Sequence, residues 1–168
     1  MGQHSKTRSI TLIALITALT VALSLNFIIP VPQTKGFVTI CDGGIYLAAM
    51  LLGGYPALLV GGLSGALLDL LSGYPQWLIF SLIIHGLQGL IAGKIIYQKS
   101  ASRTALGLSL ASILMIAGYA FAGWLLNGWG YGLASLPGNL IQNIFGVLIA
   151  VPAFKVLQKL KLTELYVK

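Results

Sequence analysis

CDGGIYLAAMLLGGYPALLVGGLSGALLDLLSGYPQW, residues 41–77, is the stretch on which the reading of this chain turns. It opens on Asp42-Gly43-Gly44, runs apolar, and breaks at Gly53-Gly54-Tyr55-Pro56. It then runs apolar again to Asp69 and breaks at Ser72-Gly73-Tyr74-Pro75. Two of the chain's three acidic residues bracket it. A carboxylate in hydrocarbon is expensive, so each needs a reason to be there. The stretch reads as two short membrane helices whose outer ends help to form a small polar pocket.

The rest of the composition agrees. Of 168 residues, 57% are hydrophobic and only 8% are charged, against about 25% charged in a soluble domain. Such a chain buries its apolar surface in lipid, as an all-α integral membrane protein. One domain over 1–168 is the natural count at this length. The single cysteine, Cys41, excludes an internal disulfide, and no Cys/His spacing suggests a metal. The net charge of +7 does not point to nucleic acid, because the basic residues sit at the ends of apolar runs. That placement is a topology signal. The first apolar run, Ser9 to Ile29, is long enough to span a bilayer and lacks a small-residue cleavage site, so no cleavable signal peptide is expected.

Six transmembrane helices are expected, at about 9–29, 42–52, 56–71, 76–97, 104–126 and 137–160. Pro30 and Pro32 end the first, and Pro56 suits the first turn of the third. Gly43 to Leu68 is uncharged and is also compatible with one tilted helix, which would give five spans. Charge decides between them. With six spans and both termini cytoplasmic, Lys6, Arg8, Lys94, Lys99, Arg103, Lys155, Lys159, Lys161 and Lys168 all face inward, and only Lys35 faces out. This is the pattern of the positive-inside rule. The outer loops are then 30–42, 72–77 and 127–138.

Those loops and the helix ends beside them hold the candidate binding groups. Asp42 precedes the second helix, where it is either an N-cap or a ligand contact. Asp69 lies in the last turn of the third, where the helix dipole disfavours an anion. It pairs with Lys35 or meets a ligand. His85 lies about 13 Å down the fourth helix, with Gln88 one turn on. They form either a buried hydrogen-bonded pair or a pocket floor. Asn139, Gln142 and Asn143 begin the sixth helix, with Asn139 and Asn143 on one face. Tyr46, Trp77, Tyr119 and Trp124 offer flat faces for stacking, although any one of them can simply be packing, and Tyr74 stands in the outer loop 72–77. Trp129 and Tyr131 also suit an interfacial aromatic belt.

Ala14, Ala18 and Ala22 make one smooth face on the first helix, suited to close approach of another helix either inside the chain or outside it. Gly62-Leu63-Ser64-Gly65 resembles the nucleophile motif of rhomboid intramembrane proteases, with Ser64 and His85 as the pair. The rhomboid His-x-x-x-Asn on an earlier helix is missing. A stand-alone small carrier is a further alternative. No phosphate-binding loop is present, so ATP hydrolysis is not expected in this chain.

The whole set resembles the S components of energy-coupling factor (ECF) vitamin transporters. The size, the six helices, Ala14-x-x-x-Ala18, the run from Asp42 to Pro75, and Gly86-Leu87-Gln88-Gly89-Leu90-Ile91-Ala92-Gly93 carry the likeness. It is nearest to members assigned to pyridoxine or hydroxymethylpyrimidine. The resemblance implies a substrate-binding subunit that captures a small vitamin outside and delivers it inward by toppling in the bilayer. It implies a lid at Gln33 to Thr39, including Lys35 and Phe37. It implies docking of Ala14 and Ala18, with Ala22 on the same face, on a transmembrane scaffold, the T component. It implies two ABC-type ATPases there that use ATP and Mg, and no cofactor, metal or catalytic residue in this chain. The expected substrate-binding set is Asp42, Tyr46, Asp69, Tyr74, Trp77, His85, Gln88, Tyr119, Asn139 and Asn143.

Overall fold

Glycine and proline cut the apolar sequence into its helices. The computed structural model describes residues 3–31 and 36–161. Helix α1 is Gln3–Leu25, followed by strands β1 (Ile29–Val31) and β2 (Gly36–Val38). Then come α2 (Cys41–Leu52), α3 (Gly54–Leu71), a 3₁₀ turn at Pro75–Trp77, α4 (Leu78–Ile96), α5 (Ala101–Asn127) and α6 (Trp129–Lys159). Five of the helices are long and apolar enough to cross a membrane, and α2 is a shorter apolar one. The architecture is a six-helix, all-α membrane bundle.

The single-helix alternative for residues 43–68 fails at Gly53. Its φ of 85° lies in the left-handed region that glycine enters without strain. The chain turns back there, so α2 and α3 pack on each other. Helix α2 occupies the middle of the bundle and touches α1, α3, α4 and α6. Its Ile45, Tyr46, Ala48 and Ala49 are fully buried.

Several boundaries differ from the sequence expectation, beginning with α1, which starts at Gln3 rather than near Ser9. Helix α1 stops at Leu25 rather than near Ile29. The side-chain amide of Asn26 donates to the Ala22 carbonyl at 2.7 Å. Ile29 and Val31 each precede a proline, which pushes both into extended backbone. That extension converts part of the expected polar loop into an antiparallel hairpin, in which Ile29 pairs with Val38 and Val31 with Gly36. At the other boundary, the expected loop 127–138 shrinks to one residue. Gly128, at φ 93°, makes the whole turn between α5 and α6. Helix α6 then runs from Trp129 straight through Pro137. A proline inside a membrane helix is tolerated where neighbouring helices and polar side chains re-satisfy the freed backbone.

Small residues let α3 and α4 approach to backbone contact. A Cβ on Gly89 would collide with the Ala57 carbonyl, and one on Gly93 would lie 2.5 Å from the Gly54 nitrogen. Gly89→Val should therefore destabilise the bundle by about 2–3 kcal/mol, the usual cost of overpacking. At Gly130 a Cβ would meet nothing within 4 Å. Gly130→Ala should be neutral or stabilise by less than about 1 kcal/mol. Thermal melting of the two variants in one detergent separates them; similar midpoints would show that the α3–α4 contact is looser than described.

Candidate functional site

Five of the six helices, α2 to α6, and the hairpin contribute to one end of the bundle. The hairpin after α1, the start of α2, the end of α3, the start of α4, the end of α5 and the start of α6 meet there around a cup. The cup has a volume of about 60 Å³, room for about four to six waters.

Its walls are partly aromatic. The Trp77 and Tyr119 rings lie 6.0 Å apart between centroids, tilted by 45°. Tyr119 also meets His85 edge to face at 5.4 Å. The Tyr119 hydroxyl and Ser81 share a hydrogen bond of 2.6 Å, which fixes the ring. Asp69 also lines the cup, buried, with its Oδ2 facing no hydrogen-bond donor. Asn139, Gln142 and Ser135 of α6 complete the polar lining.

The hairpin closes one side. Phe37 of β2 packs against Tyr74 with ring centroids 5.1 Å apart. The Thr39 backbone N–H donates to Gln142 Oε1 at 2.8 Å and ties the hairpin to α6. The Thr39 hydroxyl accepts from the Cys41 N–H at 3.1 Å. Phe37 and Thr39 of the expected lid thus line the cup. Gln33 and Lys35 lie outside the described residues, and so does the expected pairing of Lys35 with Asp69.

A buried polar layer lies beneath. Asp42 is not an N-cap: the cap position is Ile40, and Asp42 sits in the first turn of α2 with its carboxyl turned inward. Its Oδ1 accepts from the Gln88 side-chain amide. That contact settles the remaining donors. A carboxylate oxygen accepts, so the group of Gln88 facing it is the NH₂. Gln88 Oε1 then faces His85 Nδ1 at 2.7 Å, so that ring nitrogen carries the hydrogen. In the neutral ring Nε2 is left as an acceptor.

The layer continues through Tyr46. Its hydroxyl donates to Asn143 Oδ1 and meets Ser112 Oγ at 2.9 Å. Gln88 also reaches the Tyr46 oxygen at 3.0 Å. The Asn143 amide donates to the Asn139 carbonyl at 3.0 Å and to Met115 Sδ at 3.1 Å. Four helices, α2, α4, α5 and α6, are joined at this depth.

The candidate binding residues therefore fall into two tiers. Asp69, Trp77, His85, Tyr119 and Asn139 face the cup. Asp42, Tyr46, Gln88 and Asn143 form the layer below, and Tyr74 acts through Phe37. Gln142, Ser135, Cys41 and Gly65 also line the cup and were outside the expected set. Gln142 carried a signal, since it belongs to the Asn139–Asn143 polar cluster; the other three did not.

Two further sequence motifs are placed. Ala14, Ala18 and Ala22 face outward along α1, while Thr17, Val21 and Ser24 face the bundle. The alanine face is thus not spent on packing within the chain. Ser64 is buried in α3 and its hydroxyl has no hydrogen-bond partner, His85 included. The nucleophile–base contact of a protease is not made. Among the described residues no cluster of His, Cys, Asp and Glu could hold a metal ion.

Comparison with known proteins agrees with this architecture. The profile of the ECF-type riboflavin transporter S component family matches residues 4–159. The chain is 40% identical over 144 residues to the thiamine precursor transporter HmpT of Lactococcus lactis subsp. cremoris, covering 85% of this chain and 83% of that one. It is 34% identical over 124 residues to an uncharacterized protein in a gap 3' region of Pyrococcus woesei, covering 72% and 82% respectively. The chain therefore belongs to the ECF-type riboflavin transporter S component family: it is a multi-pass protein of the cell membrane that serves solute transport by binding, and it is not an enzyme.

Proposed function

We propose that this S component captures a small, flat, water-soluble vitamin or vitamin precursor in the cup, with hydroxymethylpyrimidine as the best candidate and pyridoxine second. The observation that carries this reading is the pairing of stacking rings with unspent acceptors. Trp77 and Tyr119 offer ring faces, and Asp69 Oδ2 lacks a donor. A one-ring heterocycle bearing an amine and a hydroxymethyl group supplies both a π-face and the missing donors. The relative named as a thiamine precursor transporter supports the same substrate class. So does the size of the cup, which suits a single ring better than a three-ring flavin.

Delivery follows the family pattern. The cup faces outward and both termini face the cytoplasm. Lys94, Lys99, Arg103, Lys155 and Lys159 then mark the inner end. The exposed Ala14, Ala18 and Ala22 dock on a T component whose two ABC-type ATPases hydrolyse ATP with Mg. Two buried carboxylates at one end and a charge-free middle keep the cost of toppling through hydrocarbon low.

Binding to the purified chain tests the substrate. Titrations with hydroxymethylpyrimidine, pyridoxine, thiamine and riboflavin should rank hydroxymethylpyrimidine first. Trp77→Ala and Asp69→Ala should each weaken it by about tenfold to a hundredfold, the worth of a lost ring contact or a charged hydrogen bond. Tight riboflavin binding with none for the pyrimidine would overturn the assignment.

A further inference from the structure

The other end of the bundle holds a second and much larger cavity. It is a crevice between α5 and α6, closed at the back by the ends of α2 and α4. The crevice has about 890 Å³ against about 60 Å³ for the cup. It is open toward the membrane, where its lining residues Ile113 and Leu140 are exposed, so a membrane component can enter it. Its walls are apolar, lined by Leu108, Ile113, Ile116, Val147, Val151 and Phe154, so water is a poor occupant. Its length fits a hydrocarbon chain: from Ala101 to Ile116 along α5 is about 22 Å at the helical rise.

The mouth has the opposite character. Lys99 and Lys155 line it, and Arg103 and Lys159 lie within about one turn of them. Among the described residues the only carboxylates are Asp42 and Asp69, and both are at the cup end. The mouth therefore presents positive charge with no acidic side chain described near it. Clustered Lys and Arg at a membrane surface attract anionic headgroups.

We propose that this crevice is a binding site for one anionic phospholipid, its phosphate held between Lys99 and Lys155 and one acyl chain laid along α5 toward Ile116. Bound there, the chain touches Ser112, which lines the crevice and hydrogen-bonds to Tyr46 beneath the cup. The lipid thus packs against the same polar layer that floors the cup.

Native mass spectrometry of the full chain in detergent tests this, with dioleoyl phosphatidylglycerol and dioleoyl phosphatidylcholine as probes. One phosphatidylglycerol per chain should bind, about tenfold tighter than phosphatidylcholine. The double variant Lys99→Gln/Lys155→Gln changes only exposed side chains. It should bring the two lipids within about twofold of each other. Val151→Trp fills the crevice and should lower the occupancy of both. Equal affinity of the wild-type chain for the two lipids, or an unchanged preference in the double variant, would overturn the proposal. So would a doubled chain mass that Val151→Trp abolishes, because the occupant would then be a second copy.

Discussion

Gln88→Met should cost the fold about 3 kcal/mol or more and abolish ligand capture. Methionine has nearly the length of glutamine, so little cavity is created and the loss is almost purely polar. Gln88 donates to Asp42 and Tyr46, and its oxygen accepts from His85. It also lies 3.3 Å from Asn143 Oδ1. Removing it strands several buried groups at once, each worth about 1–3 kcal/mol when unpaired. The Asp42 carboxyl suffers most, because its Oδ2 already has no partner. His85 loses the acceptor that sets its tautomer and aims its ring. An exposed glutamine is the control: Gln158→Met should stay within about 0.5 kcal/mol of wild type. Denaturation in mixed micelles measures both. A Gln88→Met protein within about 1 kcal/mol of wild type would mean that the polar layer does not hold the helices together.

Ala18→Trp should separate binding from transport. Ala18 lies outward on α1 with Ala14 one turn before and Ala22 one turn after. An indole there holds a partner backbone away, and close backbone approach is what drives association of membrane helices. Loss of about 2–3 kcal/mol at a docking face corresponds to a complex about thirtyfold to 150-fold weaker. Uptake by cells that express the T component and its ATPases should fall by about that factor. Ligand affinity of the isolated chain should not change, because Ala18 is remote from the cup. Leu59→Trp on the outward side of α3 is the matched control and should leave both intact. Full uptake by Ala18→Trp would remove α1 from the docking surface.

The helices were legible because composition and punctuation both spoke. Gly53-Gly54-Tyr55-Pro56 announced a break between two short apolar runs, and the placement of Lys and Arg argued for an even number of spans. The turn at Gly128 was not legible. In a run holding Gly128, Gly130, Gly132 and Pro137, one left-handed glycine cannot be told from a long loop. The hairpin was hidden for a related reason: its two strands have three residues each, too few to show alternation. At the site, residue type could be read but depth could not. Asp42 and Tyr46 sit at i and i+4 and share a face, which is a helical fact. That this face meets Gln88 one layer below the cup, rather than the cup itself, depends on how α2, α4 and α6 cross.

Helix α2 has 12 residues and is about 18 Å long, while the hydrocarbon it sits in is about 30 Å deep. In the proposed topology the Gly53 turn lies at the inner boundary, where Lys94 sits over the Tyr55 ring, so the missing 12 Å or so fall on the side of Cys41, where the cup is. A solute resting on the end of this helix has therefore already crossed up to about two-fifths of the membrane's voltage drop. At roughly 2.3 kcal/mol per charge per 100 mV, a monocation would gain or lose up to about 1 kcal/mol in that step. A neutral ring would feel nothing, so its capture should proceed equally well in energised and de-energised cells.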